Sequence, residues 1–119
     1  MIDKLKITPR SHDDVTTFVD LEGDFDIYNT VQLKKKISEL VDEGYRNIIC
    51  NLAQVSYVDS SGIGALMVCL SLLKKKNGRF ILMSAYESVK KVLEITKMHT
   101  FFEIYDNEEQ ALASIYGNS

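Results

Sequence analysis

The chain has 119 residues, of which 45% are hydrophobic and 26% charged. That balance excludes a largely disordered chain. The length fits one domain over 1–119, which buries about two-thirds of its unfolded surface without disulfides or a metal. The formal net charge of -3 disfavours nonspecific nucleic-acid binding, which needs many cations against phosphates.

Lys4-Leu5-Lys6-Ile7-Thr8 alternates polar and apolar residues, as a half-exposed strand does. Pro9 to Asp14 reads as a polar turn. Val15 to Glu22 is β-rich and completes an antiparallel hairpin that Gly23 closes. The period then changes. Leu33, Ile37, Leu40 and Val41 form one helical stripe flanked by Lys34, Lys35 and Lys36, with Gly44 as its C′ residue. Asn47 to Leu52 is a short apolar run of the kind buried on both faces of a sheet.

A second helix is expected from Ser60 to Lys76, ending in lysines on the negative dipole end and then Gly78 at C′. Phe80 to Met83 is another buried strand. Ser84 with Glu87 three residues on reads as a capping box. Val89, Val92, Leu93 and Thr96 mark a third helix. Phe102 to Tyr105 is a last strand, and Asp106 or Asn107 caps a final helix with Ala111, Leu112 and Ile115 on its apolar stripe. The order ββαβαβαβα predicts an α/β fold: a mixed, mostly parallel sheet of about five strands with about four helices.

Met1 to Lys6 has no apolar signal stretch, and the longest nearly apolar run, Ile63 to Leu73, is too short to span a bilayer. Cys50 and Cys69 lie in apolar runs with no histidine nearby, which argues against a zinc site and fits two buried thiols in a reducing compartment. No metal, cofactor or membrane contact is expected, and the cytoplasm is the expected location.

The informative stretch is Val58-Asp59-Ser60-Ser61-Gly62-Ile63-Gly64. Asp59 suits the N-cap of the second helix, with Ser60 and Ser61 at its first two positions. Free N–H groups and the positive dipole end point outward there, so a phosphate on a serine is electrostatically acceptable. Gly62 and Gly64 each cost about 1 kcal/mol of helix propensity relative to Ala, which points to close approach by another backbone or by a partner. A plain capped helix start with small residues under a loop explains the same residues. The helix is also apolar nearly all round. Ile63, Leu66, Met67, Leu70 and Leu73 form one stripe; Ala65, Val68, Cys69 and Leu72 form a second, so the helix is either wholly buried or docks a partner. Asp26 in Gly23-Asp24-Phe25-Asp26, or Asn29, suits a cap for the first helix. Loops at the carboxyl ends of parallel strands share one edge, which also brings Asp26 towards Ser60.

These residues carry a resemblance. Val58 to Gly64 is similar to the signature of the STAS domain as found in bacterial anti-sigma factor antagonists. Gly23-Asp24-Phe25-Asp26 resembles that family's Gly-Glu-Leu-Asp element, and the remaining segments follow in order over almost the whole chain. The resemblance implies a regulatory binding module rather than an enzyme, phosphorylated on the serine after the motif aspartate, Ser60 here. It also implies that the unphosphorylated form binds an anti-sigma factor that is a serine kinase of the GHKL type and so frees a sigma factor. Phosphorylation releases the antagonist, and a PP2C-type phosphatase resets it. Asp26, Asp59, Ser61, Gly62, Ile63 and Gly64 are then the supporting residues. Residue chemistry does not rank Ser61 behind Ser60; the resemblance does. Asn29-Thr30 stands where the family commonly has Thr-Ala, and Lys97 where many members have Gly. These departures leave the fold expectation intact and the partner's identity open.

Two other classes compete. A serine enzyme needs a base, and the only histidines are His12, in a polar turn, and His99, after a helix. Asp59 stands where a Gly-x-Ser-x-Gly elbow has its first glycine, Gly62-Ile63-Gly64 is not a full dinucleotide fingerprint, and no Walker A sequence exists. The other class is a STAS scaffold of a stress-signalling complex, or an accessory subunit of a lipid transporter. The triple lysines at 34–36 and 74–76 fit solvated helix faces better than lipid patches.

Overall fold

A computed structural model describes residues 5–117. One five-stranded sheet carries the fold, with strands in sequential order: β1 (Lys6–Ser11), β2 (Thr16–Glu22), β3 (Asn47–Gln54), β4 (Arg79–Met83) and β5 (Glu103–Tyr105). β1 pairs antiparallel with β2, and the other pairs are parallel. The helices are α1 (Thr30–Asp42), α2 (Ser60–Lys75), α3 (Glu87–Ile95) and α4 (Glu108–Tyr116). The order ββαβαβαβα is the expected one, with a single 3₁₀ turn at Met98–Thr100 before β5.

The alternation along the strands sorts two cores. Ile48, Cys50 and Leu52 of β3 and Phe80 and Leu82 of β4 join Leu33, Ile37, Leu66, Cys69, Leu73, Val89 and Leu93 under α1, α2 and α3. Phe18, Ile49, Ile81 and Met83 point the other way and meet Ala111 of α4. Three helices therefore cover one face and one helix covers the other, which is why β3 and β4 carry consecutive apolar residues, Ile48–Cys50 and Phe80–Met83. Both thiols are buried in the larger core. Burial pushes Cys50 well up and Cys69 up to about 12, so both stay protonated and unreactive.

Several local expectations needed correction. The first strand was expected over 4–8; Lys4 lies outside the described residues, and the strand runs on through Pro9, Arg10 and Ser11. Pro9 is tolerated because β1 is an edge strand, paired only on the β2 side. The turn contracts to 12–15, where Asp13 Oδ1 accepts from the amides of Val15 and Thr16. Beyond α2 the left-handed residue is Asn77, at φ 58°, and not Gly78. Gly78 N donates to Leu73 O and Asn77 N to Lys74 O, the paired bonds of a Schellman motif. Gly78 is needed for a different reason: a Cβ there would lie 2.3 Å from the Arg46 carbonyl oxygen. The Ser84–Glu87 capping box does not form. Ser84 is itself left-handed and its hydroxyl donates to Asp106 O, so α3 begins later, with Tyr86 at its N-cap. Thr96 is exposed at the end of α3, bonding back to Val92 O, and is no part of the apolar stripe. Asn107, rather than Asp106, caps α4 by accepting from Gln110 N.

Polar clasps fasten α4 across its face. Arg10 bridges Asp20 and Glu108. Arg79 pairs with Glu103 and donates to Ser114 O. Tyr116 bonds Asp13 and Thr16. The Arg79 hydrogen bond holds the Glu103 carboxyl below its ordinary value of 4.5, partial burial opposing. A depressed folded-state pKa stabilises above the unfolded value and loses that contribution as pH falls through the folded one. Glu103→Gln should therefore lower the unfolding free energy near pH 7 by less than about 1 kcal/mol after screening, and the difference from wild type should shrink as pH falls below 4.5. Urea titrations over that pH range check this.

Candidate functional site

Three strand-to-helix loops meet at the carboxyl edge of the parallel strands. Past the ends of β2 and β3 the chain pairs once more: Phe25 N donates to Tyr57 O at 2.9 Å, and Asp59 N donates to Phe25 O at 3.1 Å. Asp26 follows this bridge on one side; Asp59 and Ser60 follow it on the other. Ser88, in the first turn of α3, donates to Ser56 O at 3.1 Å and joins the third loop to the second.

Asp59 is the N-cap of α2, as its residue type suggested. Its Oδ1 accepts from Gly62 N at 2.9 Å and from the Ser61 hydroxyl at 2.5 Å. Partial burial works against the carboxylate, but the Ser61 hydroxyl and the first amides of the helix outweigh it and hold the pKa below the ordinary aspartate value. The structure thus separates two serines that the sequence leaves equivalent. Ser61 is half-buried and spends its hydroxyl on the cap. Ser60 is exposed, and among the described residues no hydrogen bond engages its hydroxyl.

The two glycines also separate. A Cβ on Gly62 would stand 2.7 Å from Phe25 Cβ and 3.1 Å from Phe25 O, so this glycine permits the close approach of the 23–29 loop. A Cβ on Gly64 would meet nothing within 4 Å, and that position is open surface. Ile63 points into the core. Of the second apolar stripe of α2, Ala65 and Cys69 are buried, Leu72 is partly buried, and Val68 alone is exposed. The helix is apolar all round chiefly because α1 packs alongside it.

Asp26 does not reach the serine hydroxyl. Its Oδ1 accepts from the amides of Tyr28 and Asn29, each at 3.0 Å, and so folds its own turn. Asn29 sits at the N-cap of α1 without a side-chain capping bond. His12 and His99 lie in turns that precede β2 and β5, at the edge opposite Ser60, and neither is placed as a base for it. No helix of the described residues is long and apolar enough to cross a membrane, and no group of three or more metal-binding side chains is found among them.

Sequence reasoning missed the apolar residues of this edge. Ile27, Tyr28 and Val31 are exposed at the start of α1, Tyr57 precedes Asp59, and Tyr86 precedes α3. The available signal was Ile27-Tyr28 itself, two large apolar residues in a turn that hydrophobic patterning leaves without a buried face.

The STAS domain family model matches residues 6–111. The chain belongs to the STAS domain family. It is 32% identical over 95 residues to a Thermotoga neapolitana protein named as an anti-sigma factor antagonist, covering 79% of this chain and 84% of that one. It is 27% identical over 105 residues to the anti-sigma-B factor antagonist of Staphylococcus epidermidis, covering 88% and 96%. Among solved structures, the unphosphorylated form of the anti-sigma factor antagonist SpoIIAA superposes with a TM-score of 0.83 at 25% identity, over 96% of this chain and 99% of that one. The five-stranded mixed sheet and four helices are thus those of this STAS fold.

The glycine geometry yields opposite outcomes for one substitution. Gly62→Ala should destabilise by about 1–3 kcal/mol through overpacking against Phe25. Gly64→Ala should stabilise by up to about 1 kcal/mol through helix propensity. Thermal unfolding of both variants tests this; equal effects would contradict it.

Proposed function

We propose that this STAS protein is an anti-sigma factor antagonist switched by phosphorylation at Ser60. In the unphosphorylated state it binds an anti-sigma factor that is a GHKL-type serine kinase, in the cytoplasm, and so frees a sigma factor. Phosphate transfer to Ser60 releases it, and a PP2C-type phosphatase restores it. The observation that carries this reading is the state of the Ser60 hydroxyl, exposed at the start of a capped helix beside a neighbour whose hydroxyl is already committed. The relatives named as anti-sigma factor antagonists support the partner class.

The switch follows from electrostatics. A phosphate on Ser60 adds about -1.5 to -2 charges near pH 7. In the free protein the positive end of α2 offsets Asp59 beside it, so the fold changes little. At an interface built for a hydroxyl, the same dianion is desolvated without a counter-charge. A complete swing from bound to free requires about 5.5 kcal/mol, and one buried, unpaired dianion is of the right order to supply much of it. Asp26, Asp59 and Ser61 hold the surface in place, Gly62 lets the two loops touch, Ile63 anchors the helix start from within, and Gly64 leaves the face beside Ser60 flat for a partner.

Purified kinases of this class from the same genome, mixed with ATP and the protein, test the proposal by peptide mass spectrometry. One phosphate on Ser60, lost in Ser60→Ala, is the expected result. Ser60→Asp should bind the kinase at least about tenfold more weakly than wild type, a ΔΔG of about 1.4 kcal/mol, with an unchanged unfolding midpoint. Phosphate on Ser61 alone, or equal affinity of the phosphorylated and unmodified forms, would overturn it. Gly64→Ala, stable but no longer flat, should also weaken binding.

A further inference from the structure

The loop between β2 and α1 carries two large apolar side chains that the fold itself does not use. Ile27 is 64% and Tyr28 68% exposed. Phe25, two residues earlier, is fully buried beneath them. The backbone between is clamped. Asp26 Oδ1 takes the amides of Tyr28 and Asn29, and Asp26 O takes those of Asn29 and Thr30 at 3.1 and 3.2 Å. Asn29 is only 3% exposed, and its Nδ2 donates to Asp24 O at 2.9 Å, drawing the loop closed around the turn. The pair at 27–28 is therefore held outward by a buried polar clasp, a pre-organised projection rather than a loose loop.

Its occupant follows from position and charge. The Phe25–Val58 bridge fixes this loop directly beside the segment that leads to Ser60, which puts Ile27 and Tyr28 on the same edge of the sheet as Ser60. The segments 23–29, 55–59 and 84–87 contain no Lys or Arg and carry Asp24, Asp26, Asp59 and Glu87. An anionic bilayer is repelled by such an edge, whereas a protein surface with an apolar socket is matched by it.

We infer that Ile27 and Tyr28 are the anchor residues of the kinase interface, and that Asn29 is a positioning residue that acts through them. This rests on the proposed function and deepens it: Ser60 decides whether the partner is held, and the 27–28 pair supplies the grip. Tyrosine is among the residues enriched at such anchors, and Ile27 adds apolar area beside it.

The test is a double-mutant cycle, read by calorimetric titration against the purified GHKL-type kinases with ADP bound. The Ile27→Ser, Tyr28→Ser double variant should lose at least about tenfold in affinity at an unchanged unfolding midpoint. Asn29→Ala should weaken binding about three- to tenfold in the wild-type background, and have no further effect once residues 27 and 28 are serine. If Asn29→Ala folds poorly, Asn29→Thr takes its place in the cycle. A double variant that binds like wild type, or an Asn29 effect of the same size in both backgrounds, overturns the inference while leaving the function standing. A wild-type chain that binds none of the kinases removes the function and the inference with it.

Discussion

The contact between Phe25 and the start of α2 is the constraint on which the rest of the carboxyl edge depends. A single parallel bridge joins Phe25 to Val58 after the regular ladder between β2 and β3 has ended. The bridge forms because Gly62 presents no Cβ to the Phe25 backbone. Phe25 in turn fills the core beneath. One missing side chain thus brings two loops into register and sets Asp26 and Asp59 on adjacent strands of backbone. Without that approach, the serine and the 27–28 pair would belong to separate loops with separate motions.

The capping of α2 ties the stability of the helix end to the proposed phosphate acceptor beside it. Asp59 satisfies an otherwise unpaired amide, and by binding the Ser61 hydroxyl it leaves one serine free and one engaged. The helix end that needs a carboxylate for its own stability is the end that tolerates an added phosphate. The added negative charge is therefore partly offset and well solvated in the free protein, and strongly unfavourable once solvent is excluded. That difference between two environments, and not a rearrangement of the fold, is what a phosphate on Ser60 would report.

Much of this was legible in the sequence. The element order, the apolar runs of β3 and β4, the Asp59 cap and a cap of α4 at Asp106 or Asn107 follow from periodicity and residue type. What was not legible is tertiary. Gly78 has the composition of a helix stop, but it is fixed by the Arg46 carbonyl, while Asn77 takes the left-handed turn. The Ser84–Glu87 spacing fits a capping box, yet Ser84 is claimed by Tyr105 and Asp106 at the end of β5. Gly62 and Gly64 look alike on paper and do opposite things, because only one of them faces a second chain segment. The exposed pair at 27–28 left a signal in the sequence, but its orientation depends on a buried Asn29 clasp that no local pattern encodes.

The edges of the sheet bear on how such a protein behaves at working concentration. β1 ends one side with a proline that offers no amide, and β5 ends the other with three residues only. Neither side presents the long row of free backbone groups that would recruit a second sheet. Self-pairing then draws little protein out of solution. For the partner capture proposed above, this bluntness at both margins removes one competing route, the joining of one sheet to the edge of another.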